Sequence, residues 1–184
     1  MIEVRGRGQS NGGDGNDHDV LPDVLAAGLN IVFCGTAPGT ASAARRAYYA
    51  GPGNAFWHTL FAVGLTPHRL LPDEFRSVTR YNLGLTDLAK HVSGSDSDLC
   101  RAHFDAGRLR AVIRQYRPRI VAFTSKRAAE EFLGRRVSYG RMPETEGTTG
   151  LFVLPSPSGA ARRYWNGQYW RDLAELCPTI GQRS

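Results

Sequence analysis

Lysine is nearly missing from this sequence: Lys90 and Lys126 are the only two, so almost all of its 23 basic residues are arginine. Cysteine is scarce as well. Cys34, Cys100 and Cys177 are odd in number, widely spaced and without a CxxC pair, which excludes a four-cysteine zinc or iron–sulfur site and reads as free thiols. No apolar run approaches the roughly 20 residues that span a bilayer, so no membrane partner is expected. The start of the chain has no basic segment followed by an apolar stretch, and a cytoplasmic address is expected from that. Neither GxxxxGK[ST] nor GxGxxG occurs, which counts against a small-molecule nucleotide enzyme built on those loops. His58, in a helical pattern, and His68, in a proline-rich loop, have no partner at metal or nucleophile spacing, and His91 reads as a solvated loop histidine. No metal is expected.

What is there is a basic chain of 184 residues, 23 Lys and Arg against 17 Asp and Glu, for a net charge of +6. Arginine forks suit phosphate, and a basic surface favours polyanions through counterion release, although charge alone does not establish a nucleic-acid partner. Residues 1–20 are rich in Gly, Asn and Asp, too polar to offset the entropy of ordering, and are expected to form a disordered tail. Residues 21–180 are expected to form one domain, since nothing resembling a second linker or an internal repeat divides them.

Three short apolar runs, Asn30–Cys34, Arg119–Phe123 and Leu151–Leu154, suit strands covered on both faces, as in a parallel sheet. Helical patterns lie between them. Asn54 is placed to cap AFWHTLFAV, which Gly64 ends; Phe104, Leu109, Val112, Ile113 and Tyr116 recur at helical spacing; Ser125 opens KRAAEEFL, which Gly134 closes. A last helix fits Tyr169–Leu176. Glu130 and Glu131 stand at i,i+4 from Lys126 and Arg127 and read as solvated pairs. This alternation implies an α/β fold, a three-layer α/β/α sandwich around a mainly parallel sheet, with ligands beyond the carboxyl ends of the strands. After those ends come Gly35-Thr-Ala-Pro-Gly39, Thr124-Ser-Lys126 and Pro155-Ser-Pro-Ser-Gly159, followed by Ala160-Ala-Arg-Arg163. Glycine turns and small-residue loops let backbone amides approach a ligand closely.

With those loops placed, the chain resembles the mismatch-specific uracil-DNA glycosylase family, which includes the thymine-DNA glycosylases, over roughly Asn30 to Leu176. The block Val32–Trp57, VFCGTAPGTASAARRAYYAGPGNAFW, is similar to that family's first motif, and Leu154-Pro-Ser-Pro-Ser-Gly159 to its second. The resemblance implies a monofunctional DNA-repair enzyme that flips a nucleotide out of the duplex and cleaves the base–sugar bond, with no metal and no organic cofactor. Uracil in DNA, or a related lesion, is the implied partner. A monomer is expected, since one flipped nucleotide needs one pocket. The three cysteines set the chain apart from the branches that carry a four-cysteine cluster.

Carried over position by position, the resemblance puts Tyr49 where the family stacks an aromatic on the flipped base. Backbone amides around Thr36, Ala37 and Tyr49 become the donors to that base. Asn54 lies at the base-binding rim and also reads as a helix cap, and Trp57 as support beneath the pocket. Ser158, Gly159, Ala160, Arg162, Arg163 and Lys126 are the implied DNA contacts.

Three departures stand out. Most of the family places an asparagine that aims the attacking water where this chain has Ala37, whose methyl orients nothing. Ser156 replaces an asparagine or histidine at the start of the second motif, and Ala160 replaces the leucine that commonly fills the gap in the duplex. Ser156 retains a hydroxyl able to donate to a base oxygen, and Arg162, Arg163 or Tyr164 are candidates for the plug. For the water, the candidate is Asp87, in Tyr81-Asn-Leu-Gly-Leu-Thr-Asp87-Leu, a segment resembling the family's third pocket-lining stretch. Its expected role is to orient water and stabilise the cationic sugar; the rival role is accepting a hydrogen bond from a ring N–H of uracil. Two further readings stay open, a lesion- or abasic-site-binding protein without turnover, and a small-molecule nucleotide enzyme that shares only a glycine-rich turn.

Overall fold

A computed structural model of the chain describes residues 18–177. Five strands form one sheet in the order β2-β1-β3-β5-β4: β1 (Ile31–Gly35), β2 (Leu83–Asp87), β3 (Ile120–Phe123), β4 (Gly140–Glu146) and β5 (Thr149–Val153). The first four in that order are parallel and β4 is antiparallel at the edge. Around them lie α1 (Thr40–Arg45), α2 (Phe56–Ala62), α3 (Ala106–Tyr116), α4 (Lys126–Leu133) and α5 (Gln168–Glu175).

The period-two alternation of strand side chains sorts the core into two layers. Ile31, Phe33, Leu83, Leu85 and Phe152 face one side, packing with Phe56, Trp57 and Leu60 of α2 and Trp170 and Leu173 of α5. Val32, Cys34, Val121, Phe123, Leu151 and Val153 face the other, against Leu109 and Ile113 of α3 and Ala128, Ala129 and Phe132 of α4. Helices therefore cover both faces, and the expected sandwich is the observed one.

Local signals explain most boundaries. Ser125 Oγ accepts from Ala128 N at 3.1 Å and Gly134 closes α4 at φ 70°, as the sequence pattern requires. Phe104 precedes α3, which opens on Asp105 instead, whose carboxylate accepts from Arg108 N. The helix after the first motif starts one residue later than Asn54 implies: Ala55 is the cap residue, and Asn54 Oδ1 accepts from Phe56 N at 3.0 Å. The last helix is Gln168–Glu175, one residue earlier than its apolar pattern.

Two strands escape the apolar-run criterion. β2, Leu-Gly-Leu-Thr-Asp, is wholly buried despite its polar residues, and β4 carries Pro143 within a register irregularity between Arg141 and Thr145, where an edge strand tolerates a residue without an N–H. Of the expected polar tail, residues 1–17 lie outside the described residues, as do 178–184. Residues 18–24 pack against the sheet: Val20 N donates to Lys90 O at 2.8 Å, and Val24 forms an antiparallel bridge to Leu85 on the outer edge of β2. Among the described residues no helix is long and apolar enough to cross a membrane.

Candidate active site

The parallel strands deliver four chain segments to one rim, and backbone hydrogen bonds lock these together. Leu88 N donates to Gly35 O at 2.9 Å, Ala89 N to Thr36 O at 2.8 Å, Thr124 N to Cys34 O at 3.0 Å and Ala55 N to Pro157 O at 2.8 Å. The Thr36 and Ser125 hydroxyls meet at 2.9 Å. Between the segments lies a cavity of about 510 Å³, within the range of pockets that hold a small ligand. Its walls include Thr36, Ala37, Tyr49, Asn54, Asp87 and Ser156.

Tyr49 is held by an unusual backbone. Its φ of 53° is left-handed, a conformation that costs a non-glycine residue free energy and persists only where neighbours enforce it. On either side Ala50 N donates to Ser42 Oγ at 3.0 Å and Trp57 Nε1 donates to Tyr48 O at 3.0 Å. The Tyr49 ring stacks on Phe56 with centroids 3.7 Å apart and planes 15° apart, and its hydroxyl lies 3.3 Å from Thr124 Oγ1. Packing thus supports one face of the ring and fixes its orientation along the cavity wall. Burial, reinforced by Asp87, raises the Tyr49 hydroxyl well above the ordinary tyrosine pKa and keeps it neutral.

Asp87 terminates β2 in register with Gly35 at the end of β1. It is 3% exposed, and among the described residues its Oδ2 has no hydrogen-bond partner. An unsatisfied buried carboxylate oxygen is costly and is expected where a ligand, water or reacting group completes it. Burial pushes the carboxyl up from 3.8 to about 7, against the opposing pull of Lys90. It is therefore poised to take or release a proton near neutrality.

Behind Asp87 sits an ionic cluster that sequence reasoning missed. Asp23 Oδ1 lies 2.8 Å from Lys90 Nζ, and Asp23 Oδ2 lies 2.7 Å from Arg108 Nη1. Thr86 donates to Asp23 at 2.7 Å, and Arg108 Nη2 donates to the Asp87 backbone oxygen at 2.7 Å. Burial works against ionisation of Asp23, yet Lys90 and Arg108 outweigh it and hold the carboxyl below the usual range. The available signal is Lys90 itself, a rare lysine three residues after Asp87; its partners come from segments remote in sequence.

The second motif contributes Ser156, Ser158 and Ala160 to the cavity wall. Ser156 Oγ accepts from Ser158 N at 3.3 Å, which leaves its hydroxyl hydrogen free to donate elsewhere. Gly159–Tyr164 forms a 3-10 helix, and its Arg162, Arg163 and Tyr164 are exposed, with Tyr164 also on the wall. Gly159 packs closely on the first motif: a β-carbon there would lie 3.0 Å from Pro52 O, a tight contact that the loop would have to yield to accommodate. Lys126 lies apart from the wall, with Nζ 4.4 Å from the centroid of the Tyr139 ring. Its expected i,i+4 partner Glu130 instead accepts from Val137 N, so only Arg127 and Glu131 form the expected pair. The loop residues Gly94, Ser95 and Asp96 also reach the cavity, a contribution with no sequence signal. Among the described residues no cluster of His, Cys, Asp or Glu is placed to hold a metal ion.

The sequence profile of the uracil DNA glycosylase superfamily matches residues 22–174, which takes in every segment of this rim. The chain belongs to the uracil DNA glycosylase superfamily. The fold of this superfamily member is similar to the solution NMR structure of a protein from Methanosarcina acetivorans, provisionally described as a uracil DNA glycosylase. The TM-score is 0.58 at 20% identity, over 85% of this chain and 96% of that one. At that identity the likeness carries the fold. Within this glycosylase-superfamily fold, Asp87 and Tyr49 bound one cavity at the carboxyl edge of the sheet.

Proposed function

We propose that this protein is a monofunctional DNA N-glycosylase of the mismatch-specific branch, which extrudes uracil, or a related deaminated or adducted base, and hydrolyses its bond to the sugar. One observation carries the reading. A buried carboxylate with an unpartnered oxygen shares a cavity with an aromatic ring already braced on its far side.

The flipped base stacks on Tyr49, with the ring orientation fixed in advance by Phe56. Amides around Thr36, Ala37 and Tyr49, with the Ser156 hydroxyl, face the base oxygens and stabilise the negative charge that builds as the bond breaks. The ionised Asp87 orients a water toward the anomeric carbon and stabilises the positive sugar electrostatically. Water adds to that carbon as the C–N bond breaks; the base leaves with the bonding pair, and the water's proton passes to Asp87. Asn54 braces the rim through its bond to Phe56 N. Ser158, Gly159, Ala160, Arg162, Arg163 and the more remote Lys126 face the DNA backbone, and the exposed Tyr164 fills the place of the extruded nucleotide.

A specific observation favours one second reading: Ala37 lines the cavity where a water-aiming side chain is expected, as it would in a lesion-binding protein without turnover. Labelled duplexes with uracil opposite guanine or adenine, hypoxanthine, or thymine opposite guanine, treated with protein and then alkali, separate the readings. Strand scission that disappears in Asp87→Ala supports the glycosylase. Tight, salt-sensitive binding without scission supports the second reading, and neither signal removes both.

A further inference from the structure

Lys90 is buried beside the cavity, its side chain 2% exposed. Its ammonium donates to Leu21 O at 2.5 Å and to the Tyr48 hydroxyl at 3.3 Å, 2.8 Å from Asp23 Oδ1 and 3.9 Å from Asp19 Oδ2. Asp23 is in turn clamped by Arg108 and Thr86. The cluster pins residues 19–23 to the sheet, but apolar side chains of similar volume commonly do this as well or better, because desolvating a lysine and two aspartates is expensive. What apolar residues cannot supply is a fixed positive charge behind a buried acid. Tyr48, the hydroxyl that Lys90 holds, lines the same cavity as Asp87.

We propose that Lys90, together with the Tyr48 hydroxyl it holds on the cavity wall, is a positioning residue for Asp87 that favours the carboxylate form in the cavity, and that Asp23 and Arg108 hold Lys90 and the Asp87 backbone in place. The inference rests on the reading of Asp87 as the group that orients water. Burial pushes Asp87 up to about 7; Lys90 is the strongest influence in the other direction, Tyr48 and Arg108 add to it, and Asp23 opposes it. The other titratable groups coupled to Asp87, the Tyr49 hydroxyl and the Cys34 thiol, are themselves held neutral by burial.

The test is the pH dependence of single-turnover base release, paired with a carbon-13 NMR titration of the Asp87 carboxyl that needs no activity. A neighbouring opposite charge lowers a carboxyl pKa by about 1–3, so Lys90→Met moves the acid limb and the NMR midpoint upward by about one pH unit or more. Tyr48→Phe moves both in the same direction by less. Lys90→Met combined with Asp23→Asn returns the midpoint toward wild type, because the opposing negative charge leaves with the lysine and Arg108 remains. A folded Lys90→Met protein with an unmoved midpoint overturns the proposal. So does a shift that persists undiminished in the double variant, which assigns the effect to packing. If Lys90→Met does not fold, Tyr48→Phe decides on the same criterion. Should Asp87→Asn retain full base release, the catalytic reading fails on its own, while the NMR midpoints still show whether Lys90 sets the ionisation of Asp87.

Discussion

Gly35 and Asp87 end adjacent parallel strands in register, and a β-carbon on Gly35 would lie 2.4 Å from Asp87 Oδ1. The glycine of the first motif is thus the space into which the carboxylate fits. Gly35→Ala must displace Asp87, since no side-chain approach closer than about 3.0 Å is tolerated. Single-turnover base release is expected to fall about as far as in Asp87→Ala, by roughly 10²-fold or more, the scale of a lost general base. Near-UV circular dichroism checks that the fold is kept; a near-normal rate in folded Gly35→Ala would mean the carboxyl does not act from this position.

Asp87 also makes stability depend on pH. In the folded chain the carboxyl holds its proton up to about 7, against 3.8 when unfolded, so the folded state binds more protons between these values. This contribution is fully present below 3.8 and is lost as pH rises through about 7. Asp87→Asn removes the dependence. Its stability advantage over wild type, from urea melts, is expected to be larger at pH 8 than at pH 5 and bounded by ~4 kcal/mol, since each tenfold change in proton affinity corresponds to about 1.4 kcal/mol. An advantage that does not change with pH would contradict the buried, unpaired carboxyl.

Stacking on Tyr49 is expected to contribute about 1–3 kcal/mol per base, as aromatic platforms do elsewhere. Tyr49→Leu should therefore weaken binding to a lesion-bearing duplex by roughly 5- to 150-fold while leaving affinity for undamaged duplex unchanged. Fluorescence anisotropy with both duplexes measures this, and equal losses on the two would place Tyr49 in the core alone.

Arg162 and Arg163 are exposed beside the cavity and belong to the segment assigned to the DNA backbone. Removing one arginine–phosphate pairing lowers the slope of log K against log salt by about 0.9. Arg162→Gln and Arg163→Gln are each expected to flatten the slope by about one, with cleavage of bound substrate little changed. An unaltered slope in both variants would move the DNA path off this helix.

Much of the site can be read in the chain because motif residues lie close in sequence. Gly35 to Asn54 is one segment, Leu154 to Gly159 another, and each carries its own turn chemistry. The three apolar runs form β1, β3 and β5 because burial on both faces demands continuous apolar side chains. β2 reads in sequence as a cavity-lining stretch and not as a strand, because Thr86 and Asp87 interrupt its apolar pattern; those same residues serve the ionic cluster. Lys126 and Arg127 look equivalent at i,i+4 spacing, but only Arg127 pairs, since Tyr139 offers Lys126 an aromatic face.

The sequence by itself determined the parallel sheet, the helix caps at Ser125 and Gly134, the family resemblance, and the acid in the third segment, all of which depend on residues near one another along the chain. Tertiary structure alone decided that Asp87 is buried with an unpartnered oxygen, that Gly35 makes room for it, and that Asp23, Tyr48, Lys90 and Arg108 surround it. Those properties arise from electrostatics and close packing between segments up to 85 residues apart, and short-range spacing carries no record of which distant charges will meet.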